Sequence, residues 1–276
     1  MTVLHVRHLC AAALLLSLAL AGCSSSKQPP PPPGAPAPGT PAAVNQLYSQ
    51  AKEDMASGAW DAAIKSLERI EGQAAGTLLA QQAQIDLAYA YWRSGERPQA
   101  LAAIERFIKL NPSSPALDYA LYLRGVINFN DDIGIMGSLA GQDLAERDSR
   151  ASRDSYQAFK ELVDRFPDSA YAEDARLRMT YIIKTLADYE LYVARYYYRR
   201  GAYVAAVNRA QQALVDFQGA PATEEALYIM VLSYDRLGLE TLRDDANRVF
   251  RMNFPNSTLP STGLQRTSKA WWHIWN

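Results

Sequence analysis

Cysteine is nearly missing from this chain. Of 276 residues only Cys10 and Cys23 are Cys, so nothing beyond position 23 offers a thiol for a disulfide, a metal site or a nucleophile. Histidine is as scarce: after His5 and His8 the chain has His273 alone. Neither a His-based metal centre nor a Ser-His-Asp triad can be assembled from one imidazole. A formal charge of −1 lacks the basic excess that a nucleic-acid surface needs, so nucleic acid is not an expected partner. Gly-rich phosphate loops, His-Glu-x-x-His and Gly-x-Ser-x-Gly are absent too. Carboxylate pairs do occur, at Asp131-Asp132, Glu224-Glu225 and Asp244-Asp245, where they read as helix-start charges or a solvated face. An enzyme is therefore not expected. The chain is not a disordered polymer either, because 16 Tyr and 5 Trp accompany a charged fraction of only 21%.

What the sequence has, it shows from the start. His5, Arg7 and His8 precede an apolar run at 9–21 that ends in Gly22-Cys23. The run falls short of the roughly 20 residues a membrane-spanning helix requires, and a basic start before it is the anatomy of a signal peptide. Leu20-Ala21-Gly22-Cys23 looks like a lipobox, in which small residues let a peptidase reach the backbone and the Cys thiol is acylated. Residues 1–22 are thus expected to be removed, taking Cys10, His5 and His8 with them. Cys23 is expected to carry the lipid, such as palmitate, and no cofactor is expected besides it. Ser24, in place of Asp, favours the outer membrane by analogy with lipoprotein sorting. From Ser24 to about residue 42 the composition is Ser, Pro, Gly and Ala, including Pro29 to Pro33, and reads as a polyproline-rich spacer.

From Ala43 onward apolar residues recur at three- and four-residue spacing, and Gly or Pro punctuates them. One unit reads Leu87, Ala88, Tyr91, Gly95, Ala100, Ile104, Phe107, Pro112, and resembles the 34-residue tetratricopeptide repeat, a pair of helices joined by a tight turn. Ala88 and Ala100 are small where the helices cross, Gly95 permits the turn, Pro98 suits a first helical turn and Pro112 stops the second helix. The intervals return at Ala51, Gly58, Ala63, Leu67 and Ile70. They return again at Ala194, Tyr197, Gly201, Ala206, Ala210 and Ala213, and at Leu227, Met230, Val231, Tyr234 and Gly238, with Phe250 and Pro255 closing the last unit. There Arg243 stands where a small residue is expected. A further unit is split: its first helix, 117–129, is separated from Ser155, Phe159, Leu162 and Pro167 by an insertion at 130–150. The fold class expected is all-α, a right-handed superhelical solenoid of about five such repeats. Repeats one to three fall in 43–169. A linking helix at 170–186, expected to run on into 189–200, joins them to repeats four and five in 170–257, and a tail follows at 258–276.

Binding is what such a solenoid does, and its register places the inward-facing positions of the first helices. Those are Asn45, Tyr48, Lys52 and Met55 in the first repeat, and Gln82, Ile85, Tyr89, Trp92 and Arg93 in the second. Tyr48, Lys52, Tyr89, Trp92 and Arg93 form the candidate peptide-binding set, an aromatic and cationic groove suited to an extended peptide with an aromatic side chain or a carboxylate, although Tyr48, Tyr89 and Trp92 fit a core role at this helical spacing equally well. Tyr91 and Tyr197 belong to the core by the same register.

A lipobox, a Pro-rich spacer and five repeats with a split third unit resemble the BamD family of lipoproteins, which serve the β-barrel assembly machinery. The segments that carry the likeness are Asp118-Tyr-Ala-Leu-Tyr-Leu-Arg-Gly125, Phe166-Pro-Asp-Ser-Ala-Tyr171, Asp174-Ala-Arg-Leu-Arg-Met179, and Tyr189-Glu-Leu-Tyr-Val-Ala-Arg-Tyr-Tyr-Tyr-Arg-Arg-Gly201 with Ala202-Tyr-Val-Ala-Ala-Val-Asn-Arg209. The likeness stops after Ser257, and Ser268-Lys-Ala-Trp-Trp-His-Ile-Trp-Asn276 falls outside it. The resemblance implies a non-enzymatic outer-membrane assembly factor, lipid-anchored on the periplasmic face of a Gram-negative envelope. It implies that the N-terminal repeats take the C-terminal signal strands of unfolded barrel proteins. It implies that the C-terminal half meets the barrel subunit BamA, with Arg209 and Arg200 among the contacts, and that other assembly lipoproteins attend. The alternatives are an anchored repeat scaffold or pilot for another envelope machine, such as secretin assembly or peptidoglycan synthesis, and a hydrolase on a helical frame, for which catalytic residues are missing.

Overall fold

A computed structural model describes residues 36–264 except 38 and 130–141, and only the backbone of 142–148. The lipobox with Cys23, the spacer up to residue 35, and the tail at 265–276 lie outside the described residues. The described residues hold eleven helices and no strand: α1 Pro41–Ser57, α2 Trp60–Gln73, α3 Leu78–Arg93, α4 Arg97–Leu110, α5 Leu117–Asn128, α6 Gln142–Arg165, α7 Ala172–Arg199, α8 Tyr203–Asp216, α9 Ala222–Arg236, α10 Glu240–Asn253 and the short α11 Leu259–Thr262. The described residues up to 46 and those from 47 onward belong to two compact units, and α1 spans the boundary.

Within 47–276, each helix packs on the next: α2 on α3, α3 on α4, and so on to α9 on α10. The turns explain the repetition. Gly58, Gly95, Gly201 and Gly238 have φ of +79°, +87°, +77° and +70°, the left-handed region that favours glycine. In each case the N–H after the glycine reaches back five residues: Ala59 to Asp54, Glu96 to Tyr91, Ala202 to Tyr197 and Leu239 to Tyr234. That bond closes the first helix and aims the chain back along it, the Schellman ending.

Five residues beyond the first three of these glycines stand Ala63, Ala100 and Ala206, each with no exposed surface. Nothing larger than a methyl fits where the paired helices cross. The last repeat departs from this, as its sequence does: Arg243 is half-buried and bonds Asp235 at 3.3 Å and Asp244 at 2.9 Å. A cation there requires local carboxylates to replace lost water.

The split repeat is built on a different small residue. Gly125, in α5, faces the ring of Phe159 in α6 so closely that an added methyl would overlap the ring carbons. Ser155 Oγ donates to the Gly125 carbonyl at 2.8 Å in the same contact. Helix α6 begins at Gln142, so the segment read as an insertion over 130–150 yields its last residues to this helix.

The expected linking helix and the helix after it are one. α7 runs 28 residues without a break. It buries Ala175, Ile182, Leu186, Leu191 and Ala194 in a hydrophobic cluster that extends from Leu117 and Phe159 to Ala213 and Ile229. Core therefore continues across residues 169 and 170, where the two halves were expected to part. Among the described residues no helix is long and apolar enough to cross a membrane.

Candidate functional site

The second repeat and the end of α1 make a cleft. Its floor is organised by a buried carboxylate, Asp86 of α3, 7% exposed. Tyr48 Oη donates to Asp86 Oδ2 at 2.7 Å, Gln82 Nε2 donates to Oδ1 at 3.2 Å, and Lys52 Nζ lies 3.7 Å from Oδ2. Burial, then the hydrogen bond and charge of Asp86, push the Tyr48 hydroxyl well above its ordinary pKa, so it stays a donor. A carboxylate with its lone pairs occupied in this way holds α1 and α3 in register.

Above this floor the cleft opens to about 500 Å³, lined by Lys52, Met55, Gly58, Trp60, Tyr89 and Arg93 among others. Tyr89 meets Trp60 edge-on at 6.1 Å and Trp92 at 5.7 Å. Arg93 Nη1 donates to Tyr89 Oη at 2.8 Å. Its guanidinium stands 4.9 Å from the Trp60 ring centre and 5.7 Å from that of Tyr89. The aromatic faces thus hold the cation in place without neutralising it. The result is a rigid apolar wall beside two positive groups, Lys52 and Arg93, which fits an aromatic side chain with a nearby carboxylate.

The nine residues of the register argument part company here. Lys52, Met55, Tyr89 and Arg93 line the cleft. Tyr48 and Gln82 are committed to Asp86 beneath it. Trp92 packs behind Tyr89, against the cluster of Ile85, Ala88, Ile104 and Phe107. Ile85, expected on the groove face, is instead core at 1% exposure, because α5 also packs on α3. Asn45 is exposed and belongs to the 1–46 unit. Trp60 was not foreseen. It is the second residue after Gly58, at the start of α2, and a register counted on first helices alone passes over it. Tyr91, half-buried, donates to Glu68 at 2.6 Å, and burial followed by that bond pushes its hydroxyl up to about 12.

The C-terminal half carries two ion pairs between helices. Arg195 of α7 grips Glu225 of α9 with Nε and Nη2, each at 2.5 Å, with the Arg side chain 15% and the Glu side chain 8% exposed. Glu225 is thus no mere helix-start charge; desolvated, it requires the guanidinium. Arg209 of α8 donates to Glu190 of α7 at 3.1 Å, and Glu190 is 6% exposed. Counting from Ala210 alone leaves Arg209 pointing to solvent or a partner, because the count cannot see α7 beside it. Nearby, Tyr189, Tyr192 and Tyr196 are exposed at 40%, 46% and 48%. Arg200 lies over the Tyr196 ring at 5.3 Å. Exposed Tyr and Arg in one row are the residue types that anchor protein interfaces. Among the described residues no group of three or more His, Cys, Asp or Glu could hold a metal ion.

The YfiO family, described as outer membrane lipoprotein, matches residues 41–249. An outer membrane protein assembly factor BamD of Neisseria meningitidis is 44% identical over 84% of this chain and 87% of its own length. One from Vibrio cholerae is 35% identical over 76% of this chain and 87% of its own. Among solved structures, MamA aligns at 16% identity with a TM-score of 0.37, covering 81% of this chain and 97% of MamA, a superposition too loose to argue from.

Proposed function

The chain belongs to the YfiO family of outer membrane lipoproteins, and we propose that it is an assembly factor for outer-membrane β-barrel proteins. It is a binding protein and not an enzyme. The N-terminal repeats receive the C-terminal signal segment of an unfolded barrel chain, whose terminal aromatic residue packs against the wall of Trp60 and Tyr89. Lys52 and Arg93 then meet its carboxylate. The C-terminal repeats engage a BamA-like barrel subunit through the Tyr and Arg row of α7, with Arg200 at its end, and through Arg209 beside it. Other assembly lipoproteins complete the complex. Acyl chains on Cys23 hold the whole on the periplasmic face of the outer membrane, and several chains give the stable anchoring that one does not. The lipid is its only added group.

The observation that supports this reading is the cleft itself. A guanidinium held over Trp60 and Tyr89, next to Lys52, on a chain whose relatives are named assembly factors, matches the chemistry of an aromatic C-terminus. The test is peptide binding. A peptide ending in Phe with a free carboxylate should bind, and should bind more weakly when the Phe becomes Ala or the carboxylate an amide. Equal affinity for all three would overturn the assignment of the cleft. Absence of a BamA-like barrel from the purified outer-membrane complex would overturn the assignment of the machine.

A further inference from the structure

The last repeat carries exposed apolar residues besides the Ala246 and Phe250 that it buries. In the second and fourth repeats the second helix buries the positions five, nine and thirteen after its turn glycine. Those are Ala100, Ile104 and Ile108 in α4 and Ala206, Ala210 and Leu214 in α8, all buried or packed against core. The first repeat has Ala63 and Leu67 at two of these positions, with Glu71 at the third. In α10 the same positions, counted from Gly238, are Arg243, Asn247 and Arg251. Polar residues there close the stack, as terminal repeats do. Four, eleven and fourteen positions after the glycine the opposite holds. There the earlier second helices put Ala62, Arg69 and Gly72, then Gln99, Arg106 and Lys109, then Ala205, Gln212 and Val215, all exposed except the half-buried Ala205. α10 puts Leu242, Val249 and Met252, exposed at 46%, 38% and 73%. At helical spacing these three form one stripe, and Leu239, 44% exposed, extends it. α10 keeps Ala246 and Phe250 buried towards the stack, as α4 keeps Ala103 and Phe107, and carries this second apolar stripe on its outer face.

Just beyond α11, residues 265–276 hold Trp271, Trp272, Ile274 and Trp275. At helical spacing Trp271, Ile274 and Trp275 fall on one side, and Arg266, Lys269 and His273 on the other. We propose that residues 265–276 fold back onto the outer stripe of α10 and cover Leu242, Val249 and Met252 in cis. The described chain ends at Leu264, which packs against the core that holds α9, the partner of α10. Twelve residues reach about 40 Å extended and the stripe-bearing helix is about 21 Å long, so the tail can lie along all of it. A tether this short holds the tail near the stripe at an effective concentration in the millimolar range, which favours it over a dilute partner. Three Trp supply the apolar area that the stripe lacks.

Two measurements on the full chain test this. Val249→Cys with Ile274→Cys, oxidised in intact cells, should give an intramolecular disulfide found by peptide mapping, while Leu78→Cys with Ile274→Cys should not. The 249–274 bond should be lost when Leu242→Ser and Met252→Ser are added. Failure of the bond, or a bond between two chains in its place, would overturn the proposal. Separately, a stop after Leu264 and the substitutions Leu242→Ser, Val249→Ser, Met252→Ser should each lower the melting temperature, and together lower it no further than the stop alone. Additive losses would show that tail and stripe act apart. If anionic vesicles, and not the stripe, set the blue shift of tail Trp emission, identically in the wild type and the stripe variant, the tail is a membrane contact and the proposal fails.

Discussion

Arg209 Nη1 donates to Glu190 Oε2 across the α7–α8 interface at 3.1 Å, and only the Arg end of that bond is accessible, its side chain 45% exposed against 8% for Glu190. This arrangement makes Arg209 both a structural pair and an available cation. Arg209→Glu would set a second carboxylate against a buried one. It should therefore lower stability by about 1–3 kcal/mol, less than a fully buried pair costs because Arg209 is half in water. Arg209→Glu with Glu190→Arg should restore most of the melting temperature. If co-purification of the barrel subunit returns along with the fold, Arg209 is not a partner contact. If the fold returns and the partner does not, it is.

The cleft separates two aromatic residues that adjoin it. Trp60→Ala with Tyr89→Ala should weaken binding of a Phe-ended peptide by about 1–3 kcal/mol, as lost aromatic anchors do, and should also lower the melting temperature, since Tyr89 packs against the core cluster of Ile85 and Phe107. Trp92→Ala should lower the melting temperature and leave peptide binding nearly unchanged, because Trp92 packs against the same cluster but does not line the cleft. Calorimetry of binding and thermal melts on both variants check the division. A peptide-binding loss confined to Trp92→Ala would place the site on the other side of Tyr89.

Gly125→Ala should cost about 1–3 kcal/mol, the usual range for overpacking. The methyl would meet the Phe159 ring, which is itself fully buried and has no room to retreat. Adding Phe159→Leu should recover part of the loss, and a denaturant titration of the pair would show it. Independence of the two substitutions would mean that the ring yields where it stands.

Acid should loosen the junction of the third repeat with α7. Burial pushes the Glu161 and Asp174 carboxyls up, but bonds from Arg124 and Arg165 to Glu161, and from Arg178 and Tyr122 to Asp174, outweigh it and hold both below their ordinary values. A carboxyl depressed in the folded state adds stability above its unfolded pKa, near about 4, and loses it as pH falls through the lower folded value. Melting temperature should thus fall steeply below about pH 4. Glu161→Gln should lower it at neutral pH and flatten the fall. An unchanged acid limb in Glu161→Gln with Asp174→Asn would remove these two groups from the account.

Cys23→Ser should release the chain from the outer membrane fraction, since no described helix can cross a bilayer and the anchor is proposed to be the lipid alone. Fractionation in a strain lacking the other assembly subunits checks it. Retention in the membrane there would mean a second anchor.

Repeats were legible in the residues because their steric demands are local. A glycine at a left-handed turn and an alanine at a crossing leave the same interval wherever they recur, and Gly58, Gly95, Gly201 and Gly238 all behave alike. The groove was legible in part. Lys52, Tyr89 and Arg93 share a face by helical spacing, and they share a cleft. What spacing cannot carry is the neighbouring element. Ile85 faces the direction of the groove but is covered by a further helix. Trp60 reaches the cleft from a helix start, and Glu190 waits for Arg209 on a helix whose register was counted separately. Ion pairs such as Arg195–Glu225, 30 positions apart, depend on three-dimensional coincidence and leave no interval to read.

Helix α7 was expected to be a connector, and its burial makes it a keystone. Its 28 residues contribute side chains to a core shared with α5 and α6 on one side and α8 and α9 on the other. A chain severed at residue 170 would leave two fragments that each lack a wall. The third repeat and the fourth are for that reason joined by packed side chains and not by a hinge. A bend between the third repeat and the fourth would have to break a continuous helix and open the core packed on it.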